Sequence, residues 1–255
     1  KKGIIKKTAL EEFSNPRKTG VNAITIVEGD ELLVARLTTG NSEVMMAVKS
    51  GRAIRFPEEK VRATGRGAIG VSGIDVDDDN DAVIGMICVS KEDNSRSVLV
   101  VSEKGFGKRT QLEEYPITNR GGKGVKTLNV TEKTGSLVGM LDVAAKEDLM
   151  ITCKSGMTIR MPAEGISELG RNTQGVKLIR LDDGDEIAAI TKLDDSEDEV
   201  NGENGEAEAL AEGNTVAEAT DGSAIASDAG EGTSADTSGE GEGEDPAAEE
   251  NPENE

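Results

Sequence analysis

Hydrophobic and polar residues alternate along the first 193 residues in a pattern that recurs about every 50 residues. Each unit starts at a glycine, here called the marker glycine, and successive marker glycines are 48, 54 and 51 residues apart. The marker glycines are Gly3, Gly51, Gly105 and Gly156. A second glycine follows 17 or 19 residues later and is always followed by valine. These Gly-Val pairs are Gly20-Val21, Gly70-Val71, Gly124-Val125 and Gly175-Val176.

The residues after each Gly-Val pair alternate between apolar and polar, as in a half-buried strand. An acidic turn and another apolar run come next, such as "ELLVARL" in the first unit. Three units close with an apolar run that ends at the next marker glycine, where Ser-Gly or Lys-Gly suits a hairpin turn. No sustained helical periodicity is present. Four short strands per unit of this length predict propeller-like blades. The first unit lacks the strand before Gly3, so we expect an exposed sheet edge there.

Charge divides the chain into two parts. Residues 194–255 contain 22 acidic residues and no Lys or Arg, whereas residues 1–193 contain 28 acidic and 29 basic residues. The acidic part has few large apolar residues and cannot bury enough surface to offset its chain entropy. We therefore predict an all-β array over 1–193, with blades at about 1–50, 51–104, 105–155 and 156–193. A disordered acidic tail is predicted over 194–255.

The sequence lacks the residue types or the spacing that several kinds of functional site require. The chain has no histidine, and its two cysteines lie apart in apolar runs, which predicts buried free thiols rather than a metal or disulfide site. "GGKG" at 121–124 lacks the first glycine and the Ser or Thr of a nucleotide-binding loop, and "GRGAIG" at 65–70 is followed by a strand pattern. The acidic run 75–82 lacks the glycine and glutamate of a calcium loop and reads as a solvated turn. No apolar stretch is long enough to span a membrane, and no signal peptide is present.

Basic residues recur at equivalent positions of the units. A cation always stands four residues after the marker glycine, and an arginine stands three or four residues before each Gly-Val pair. In a circular array these positions form a curved basic belt suited to the phosphates of a long polyanion such as DNA or RNA. A protein-binding propeller or an ordinary charged surface is the alternative. The candidate residues are Lys6, Lys7, Arg17, Lys18, Arg52, Arg55, Arg66, Lys108, Arg109, Arg120, Gly121, Gly122, Lys123, Gly124, Lys126, Arg160, Arg171, Lys177 and Arg180.

Four segments together carry a family resemblance: "GIIKKTALEEFSNPRKTG", "VRATGRGAIGVSGI", "GFGKRTQLEEYPITNRGGKGV" and "GRNTQGVKLIRLDDGDEIAAI". Over residues 1–193 the chain resembles the C-terminal domain of the DNA gyrase A subunit. The resemblance implies a β-pinwheel of four-stranded blades whose basic perimeter wraps double-stranded DNA through backbone contact and bending. The related domain of the topoisomerase IV A subunit is the alternative within the same enzyme class.

The resemblance also sets limits on this chain. The family's domain has about six blades, of which the chain matches the last four, and the "QRRGGKG" box of the first blade survives only as "RGGKG" at 120–124. Tyr115 belongs to the blade pattern and is not expected to be a nucleophile. The resemblance implies that the chain is a non-catalytic fragment without a cofactor. ATP and Mg²⁺ would act in other domains of the enzyme. The remainder of the A subunit and the B subunit would complete an A2B2 enzyme.

The resemblance places that enzyme in the bacterial cytoplasm, at the nucleoid and not in a membrane. The acidic tail is in keeping with the same subunit. Because it is tethered near a basic belt, we expect it to compete with DNA, so that removal of residues 194–255 would tighten DNA binding.

Overall fold

The structure is a computed structural model that describes residues 1–76, 80–90, 93 and 95–193, and it is built of short antiparallel strands and single-turn 3₁₀ helices. The strands are β1 (Ile4–Ile5), β2 (Ser42–Val48), β3 (Arg52–Pro57), β4 (Val71–Ser72), β5 (Val83–Ser90), β6 (Ser97–Ser102), β7 (Phe106–Gln111), β8 (Val125–Lys126), β9 (Leu137–Val143), β10 (Asp148–Cys153), β11 (Thr158–Pro162), β12 (Val176–Lys177) and β13 (Ile187–Leu193). The 3₁₀ helices are Leu10–Phe13, Glu58–Lys60, Leu112–Glu114 and Ala163–Gly165. The prediction of an all-β fold is confirmed.

The strands form four sheets. Two are complete and have the same order, β5-β2-β3-β8 and β9-β6-β7-β12. The sheet β13-β10-β11 has three strands and the sheet β1-β4 has two. Within each complete sheet, two strands flank a marker glycine as a hairpin, the first closing one unit and the second opening the next, and the third strand follows the acidic turn of this next unit. At the hairpin between β2 and β3, Gly51 has φ 87°, the left-handed conformation that such a turn requires.

The fourth strand of each complete sheet comes from the following unit. The short strands β4, β8 and β12 begin at the valine of a Gly-Val pair and pair with β1, β3 and β7 of the preceding unit. The glycine lets the two backbones approach: a side chain at Gly175 would place its Cβ 2.5 Å from the Gly107 carbonyl oxygen. The blade limits drawn at the marker glycines stay a prediction, while the sheets themselves interlock successive units.

Apolar side chains fill the spaces between successive sheets. Every residue of β2 is buried, because its alternate side chains enter two different cores. Met45 packs with Val98 and Val100 of the next sheet, whereas Met46 packs with Ile5 and other residues of the first sheet. A third cluster lies between β6 and β10, around Leu99 and Ile151. The strands β5, β9 and β13 contact one another in succession, so they lie along the inner side of the array.

The first unit differs from the prediction. The segments "NAITI" and "ELLVARL" were expected to form strands, but residues 14–41 contain no strand. In the later units the strand after the acidic turn pairs with the strand before the marker glycine, as β5 pairs with β2. Within the described residues, no strand pairs with "ELLVARL". Its apolar side chains, including Leu32 and Leu37, are exposed.

Two predictions lie largely or wholly outside the described residues: the acidic tail 194–255, and residues 77–79 of the acidic turn. Cys153 is buried and Cys88 is half-buried, and both are free thiols. Burial raises the pKa of the Cys88 thiol to about 11, which makes it a poor nucleophile at neutral pH. None of the helices in the described part is long and apolar enough to cross a membrane.

Candidate nucleic-acid interface

The Gly-Val strands form the outer edge of the array. In both complete sheets, β8 or β12 lies at the edge opposite the inner strands β5 and β9. Lys126 in β8 and Lys177 in β12 occupy equivalent positions, and both side chains are exposed. In the register of β8 with β3, Lys126 stands directly opposite Arg52, so two cations meet across the edge. Exposed cations therefore recur on the outer rim of the complete sheets.

Arg55, four residues after its marker glycine, faces inward instead. Its side chain is 11% exposed, and Nε donates a hydrogen bond to Glu43 Oε2 at 2.6 Å. Nη1 donates to the carbonyl oxygens of Leu112 and Tyr115 at 2.6 and 3.0 Å, at the 3₁₀ helix of the next unit. Glu43 is 4% exposed, so both charges are buried and paired. Arg55 joins two units, and its guanidinium group is engaged by protein oxygens.

The equivalent cations of the first and third units follow the same pattern, whereas that of the fourth unit is exposed. Lys7 Nζ donates to the Glu58 carbonyl oxygen at 3.3 Å, and Arg109 Nε donates to the Ile166 carbonyl oxygen at 2.8 Å. Both acceptors belong to the 3₁₀ turn of the following unit. Arg160, in the last described unit, is half exposed and pairs with Asp148 at 2.7 Å. The periodic signal at this position thus reflects contact between units.

The candidates three residues after the marker glycine, Lys6 and Lys108, also point into the protein. Lys108 is fully buried, and its ammonium contacts oxygens of Gly170, Arg171 and Thr173 in the next unit. Burial lowers the pKa of Lys108 to about 8. Lys6 Nζ donates to the carbonyl oxygens of Ala23 at 2.6 Å and Arg66 at 2.8 Å. Both ammonium groups are therefore engaged by oxygens of the protein.

Three of the four arginines before the Gly-Val pairs, Arg66, Arg120 and Arg171, are half-buried and contact a neighbouring unit. Arg120 donates to the carbonyl oxygens of Lys60 and Ser72, each at 3.0 Å. Arg171 donates to the Lys126 carbonyl oxygen at 3.3 Å and lies 5.9 Å from the centre of the Tyr115 ring. Ser72 and Lys126 each lie in the Gly-Val strand of the preceding unit, so each arginine connects its own unit to the outer strand of the preceding unit. Arg66 lies 4.0 Å from Glu12, and Arg17 is exposed.

Backbone hydrogen bonds to the preceding unit hold the "GGKG" loop at 121–124 in place. Gly121 N–H donates to the Gly73 carbonyl oxygen at 2.7 Å, and the Gly122 carbonyl oxygen accepts from Asp75 N–H at 3.0 Å. The Gly121 amide is therefore not available to a phosphate. Lys123 is exposed at the tip of the loop. The candidates with exposed side chains are Arg17, Lys18, Lys123, Lys126, Arg160, Lys177 and Arg180.

A second set of exposed cations was missed in the sequence. Lys2, Lys49, Lys104 and Lys154 stand one or two residues before the four marker glycines, in the hairpin turns or, for Lys2, at the chain start. The aligned strings "KKG", "KSG", "EKG" and "KSG" carried this signal. Two of these lysines bond to glutamates: Lys104 Nζ donates to the Glu132 carbonyl oxygen, and Lys154 Nζ lies 2.5 Å from Glu186 Oε2.

Two open cavities of about 580 Å³ each occur on the described surface. The first is lined mainly by apolar residues of the first unit together with Met86 and Cys88. The second is lined by three lysines, including Lys177, and by the acidic residues of the segment Asp182 to Glu186. Among the described residues, no group of three or more Cys, Asp or Glu side chains is placed to hold a metal ion.

Comparison with known proteins gives a consistent picture. The family model described as DNA gyrase C-terminal domain, beta-propeller, matches residues 1–38, 42–90, 96–144 and 147–194, one segment for each unit. The DNA gyrase A subunit of Staphylococcus epidermidis is 41% identical over 198 residues, which cover 78% of this chain and 22% of the relative. The chain thus spans less than a quarter of the length of that relative.

Two solved structures resemble the described fold. The C-terminal domain of DNA gyrase A matches with a TM-score of 0.65 and 28% identity, covering 75% of this chain and 62% of that one. The C-terminal domain of DNA topoisomerase IV matches with a TM-score of 0.70 and 20% identity, covering 75% of this chain and 59% of that one. At this identity the second likeness shows the fold alone.

Proposed function

Because the chain belongs to the family of the DNA gyrase C-terminal domain, we propose that its repeated units bind duplex DNA and wrap it around their outer edge. The gyrase A relative is 41% identical over 78% of this chain, which favours a gyrase A subunit. We also propose that the remainder of the A subunit and a B subunit complete an A2B2 assembly. This assembly would supercoil DNA with ATP at the bacterial nucleoid.

The observation that carries the proposal is the recurrence of exposed lysines on the outermost strands. Lys126 and Lys177 lie on β8 and β12, each at the rim of a complete sheet. In the register of β8 with β3, Lys126 stands opposite Arg52, so a second basic residue lies on the neighbouring strand. Exposed cations repeated at the rim suit the regularly charged backbone of a duplex.

The distribution of aromatic side chains favours a duplex over a single strand. Single-strand binding proteins stack bases on exposed aromatic rings. Here Phe56, Phe106 and Tyr115 are buried, and the Tyr115 hydroxyl is hydrogen-bonded to Thr127 Oγ1 at 2.5 Å. Only Phe13 among the aromatic residues is partly exposed. Binding is therefore expected to use the phosphate backbone and bending of the duplex, with little reading of base sequence.

Closure of nicked circular DNA tests the wrapping directly. A nicked plasmid is sealed by a ligase with increasing amounts of the chain, and the topoisomers are resolved after the protein is removed. We expect the linking number to shift with the amount of chain added, because DNA wrapped during sealing retains the wrap as supercoiling. The shift should fade with added salt as phosphate contacts weaken.

The matched control replaces Lys146, an exposed lysine in the turn between β9 and β10, with Gln. This variant should behave as the unmodified chain, whereas replacement of both Lys126 and Lys177 with Gln should reduce the shift. An unchanged topoisomer distribution at every chain concentration would show that the units do not wrap DNA and would favour a protein-binding role.

A further inference from the structure

Lys108 is a fully buried lysine whose ammonium group lies among oxygen atoms of a neighbouring unit. Its Nζ lies 2.5 Å from the Gly170 carbonyl oxygen and 2.6 Å from that of Arg171. The carbonyl oxygen and Oγ1 of Thr173 lie at 3.2 and 3.1 Å. All four oxygens belong to one loop, residues 170–173, which precedes the Gly-Val pair of the fourth unit.

The loop 170–173 leads directly to the outer edge. It carries Arg171, which donates to the Lys126 carbonyl oxygen in β8, and it continues into β12, which carries Lys177. The Thr173 carbonyl oxygen also accepts a hydrogen bond from Asn129 N–H at 3.1 Å. The position of this loop therefore sets where Arg171 and Lys177 stand relative to Lys126 on the preceding strand.

The same contact occurs at another junction between units. Lys6, the equivalent of Lys108 in the first unit, donates to the Arg66 carbonyl oxygen of the second unit at 2.8 Å. Arg66 is the equivalent of Arg171. At the intervening junction the position is Ile54, whose Cδ1 lies beneath Gly122, 3.8 Å from the place that a Cβ on this glycine would occupy. An apolar contact and backbone hydrogen bonds there serve in place of the lysine.

We propose that Lys108 is a positioning residue, whose protonated ammonium group fixes the loop 170–173 so that Lys177 is presented to DNA in register with Lys126. The inference rests on the proposed function for its DNA part. Three N–H donors of an ammonium group are shared among four oxygens, and a neutral amine would have only two donors. Loss of the proton or of the side chain should release the loop without removing a phosphate contact.

The protonation state gives this role a signature in the pH profile. Burial lowers the pKa of Lys108 to about 8, while Glu114 opposes and Arg171 reinforces that shift. These are the charged groups that face Lys108 from the packed loop and the 3₁₀ helix. Between pH 7 and about 9 the ammonium group should lose its proton, whereas exposed lysines keep theirs up to about pH 10. The affinity for DNA should therefore fall over this range through Lys108.

The test compares Lys108→Met with the unmodified chain and with the control Lys146→Met. Hydrogen exchange of the amides in 170–175 should become about tenfold faster or more in Lys108→Met, because charge-assisted hydrogen bonds are lost. Exchange in 121–124 should not change, because that loop is supported by Ile54. Thr173→Val leaves Lys108 in place but removes one of its acceptors and also the hydrogen bond from Thr173 Oγ1 to the Gly170 carbonyl oxygen. It should act in the same direction and keeps the test valid if Lys108→Met does not fold.

Duplex binding is then measured against salt at pH 7 and pH 9. The Lys108→Met variant should bind the duplex several-fold more weakly than the unmodified chain at pH 7, with the same dependence of affinity on salt. Its affinity should change less than that of the unmodified chain between pH 7 and pH 9. A loop that exchanges at the original rate in both variants, or a pH profile that Lys108→Met leaves unaltered, would overturn the inference. If the unmodified chain binds no duplex, the proposed function fails, and exchange in the loop alone then decides whether Lys108 holds it.

Discussion

At the residue scale, Arg55 shows how a repeated cation can serve the fold rather than a ligand. Its guanidinium group contacts a buried carboxylate, Glu43, and two carbonyl oxygens of the next unit. Burying two charges is costly unless each is paired and hydrogen-bonded, a condition that this arrangement meets. The interaction therefore ties the orientation of one unit to the 3₁₀ helix of the next.

Replacement of Arg55 with Met should lower the free energy of unfolding by about 3–5 kcal/mol, because Glu43 would be left buried without its partner. Arg160→Met is the matched control. Arg160 occupies the same position in the last described unit and pairs with Asp148, but its side chain is half exposed. Its loss should cost no more than about 1 kcal/mol. Urea denaturation measures both values, and equal effects of the two changes would contradict the structural role of Arg55.

The sequence could predict which cations recur but not the direction in which they point. Lys108 and Arg109 are adjacent in β7, and each is engaged with a carbonyl oxygen of the following unit. Periodicity registers that a cation is repeated, whether its partner is a phosphate or a carbonyl oxygen. The exposed candidates Lys126 and Lys177 had no stronger signal than the buried Lys108. Only the packing of one unit against the next separates the two groups.

At the element scale, the strand that crosses between units explains why each unit has a Gly-Val pair. The chain passes so close to the preceding unit at this point that a side chain on Gly124 would overlap the Ala53 carbonyl oxygen. Gly124 also has φ 72°, a conformation that other residues adopt only at a cost. The valine then begins the short strand that completes the neighbouring sheet.

Gly124→Ala should destabilise the array by about 2 kcal/mol or more and weaken the pairing of β8 with β3, since both the overlap and the left-handed conformation oppose it. Gly122→Ala, two residues earlier in the same loop, is the control. A side chain there would meet only Ile54 Cδ1, at 3.8 Å, and the change should have little effect. Thermal or urea unfolding compares the two variants, and a destabilisation of similar size in both would argue against strand exchange as the reason for the glycine.

The strand content of the units was predictable from their alternating pattern, but the pairing partners were not. Four strands per unit were expected, and the complete sheets have four, yet these four come from three successive units: one from the preceding unit, two from the same unit and one from the following unit. The segments "NAITI" and "ELLVARL" of the first unit have the alternating pattern of strands but do not form strands, because a strand needs a neighbouring strand for its backbone hydrogen bonds. A pattern along the chain records which face of a segment is apolar, and not which segment lies beside it.

At the scale of the whole molecule, the cations fall into a buried group and an exposed group. Those between the units, such as Arg55 and Lys108, hold the array together, whereas Lys126, Lys177 and Arg180 lie on the exposed side. Residues 1–193 carry nearly balanced charge, so attraction of a polyanion depends on where the exposed cations lie rather than on net charge. The central claim is that the outer-edge cations contact DNA and the inner ones do not.

The dependence of duplex binding on salt tests this claim most directly. Each phosphate contact contributes a slope of about −0.9 to a plot of log affinity against log salt concentration. Replacement of Lys126, Lys177 and Arg180 with Gln should therefore reduce the magnitude of the slope by about 2 to 3, while Arg55→Met should leave it unchanged wherever that variant remains folded. An unaltered slope in the triple variant, or an equal reduction in Arg55→Met, would contradict the account.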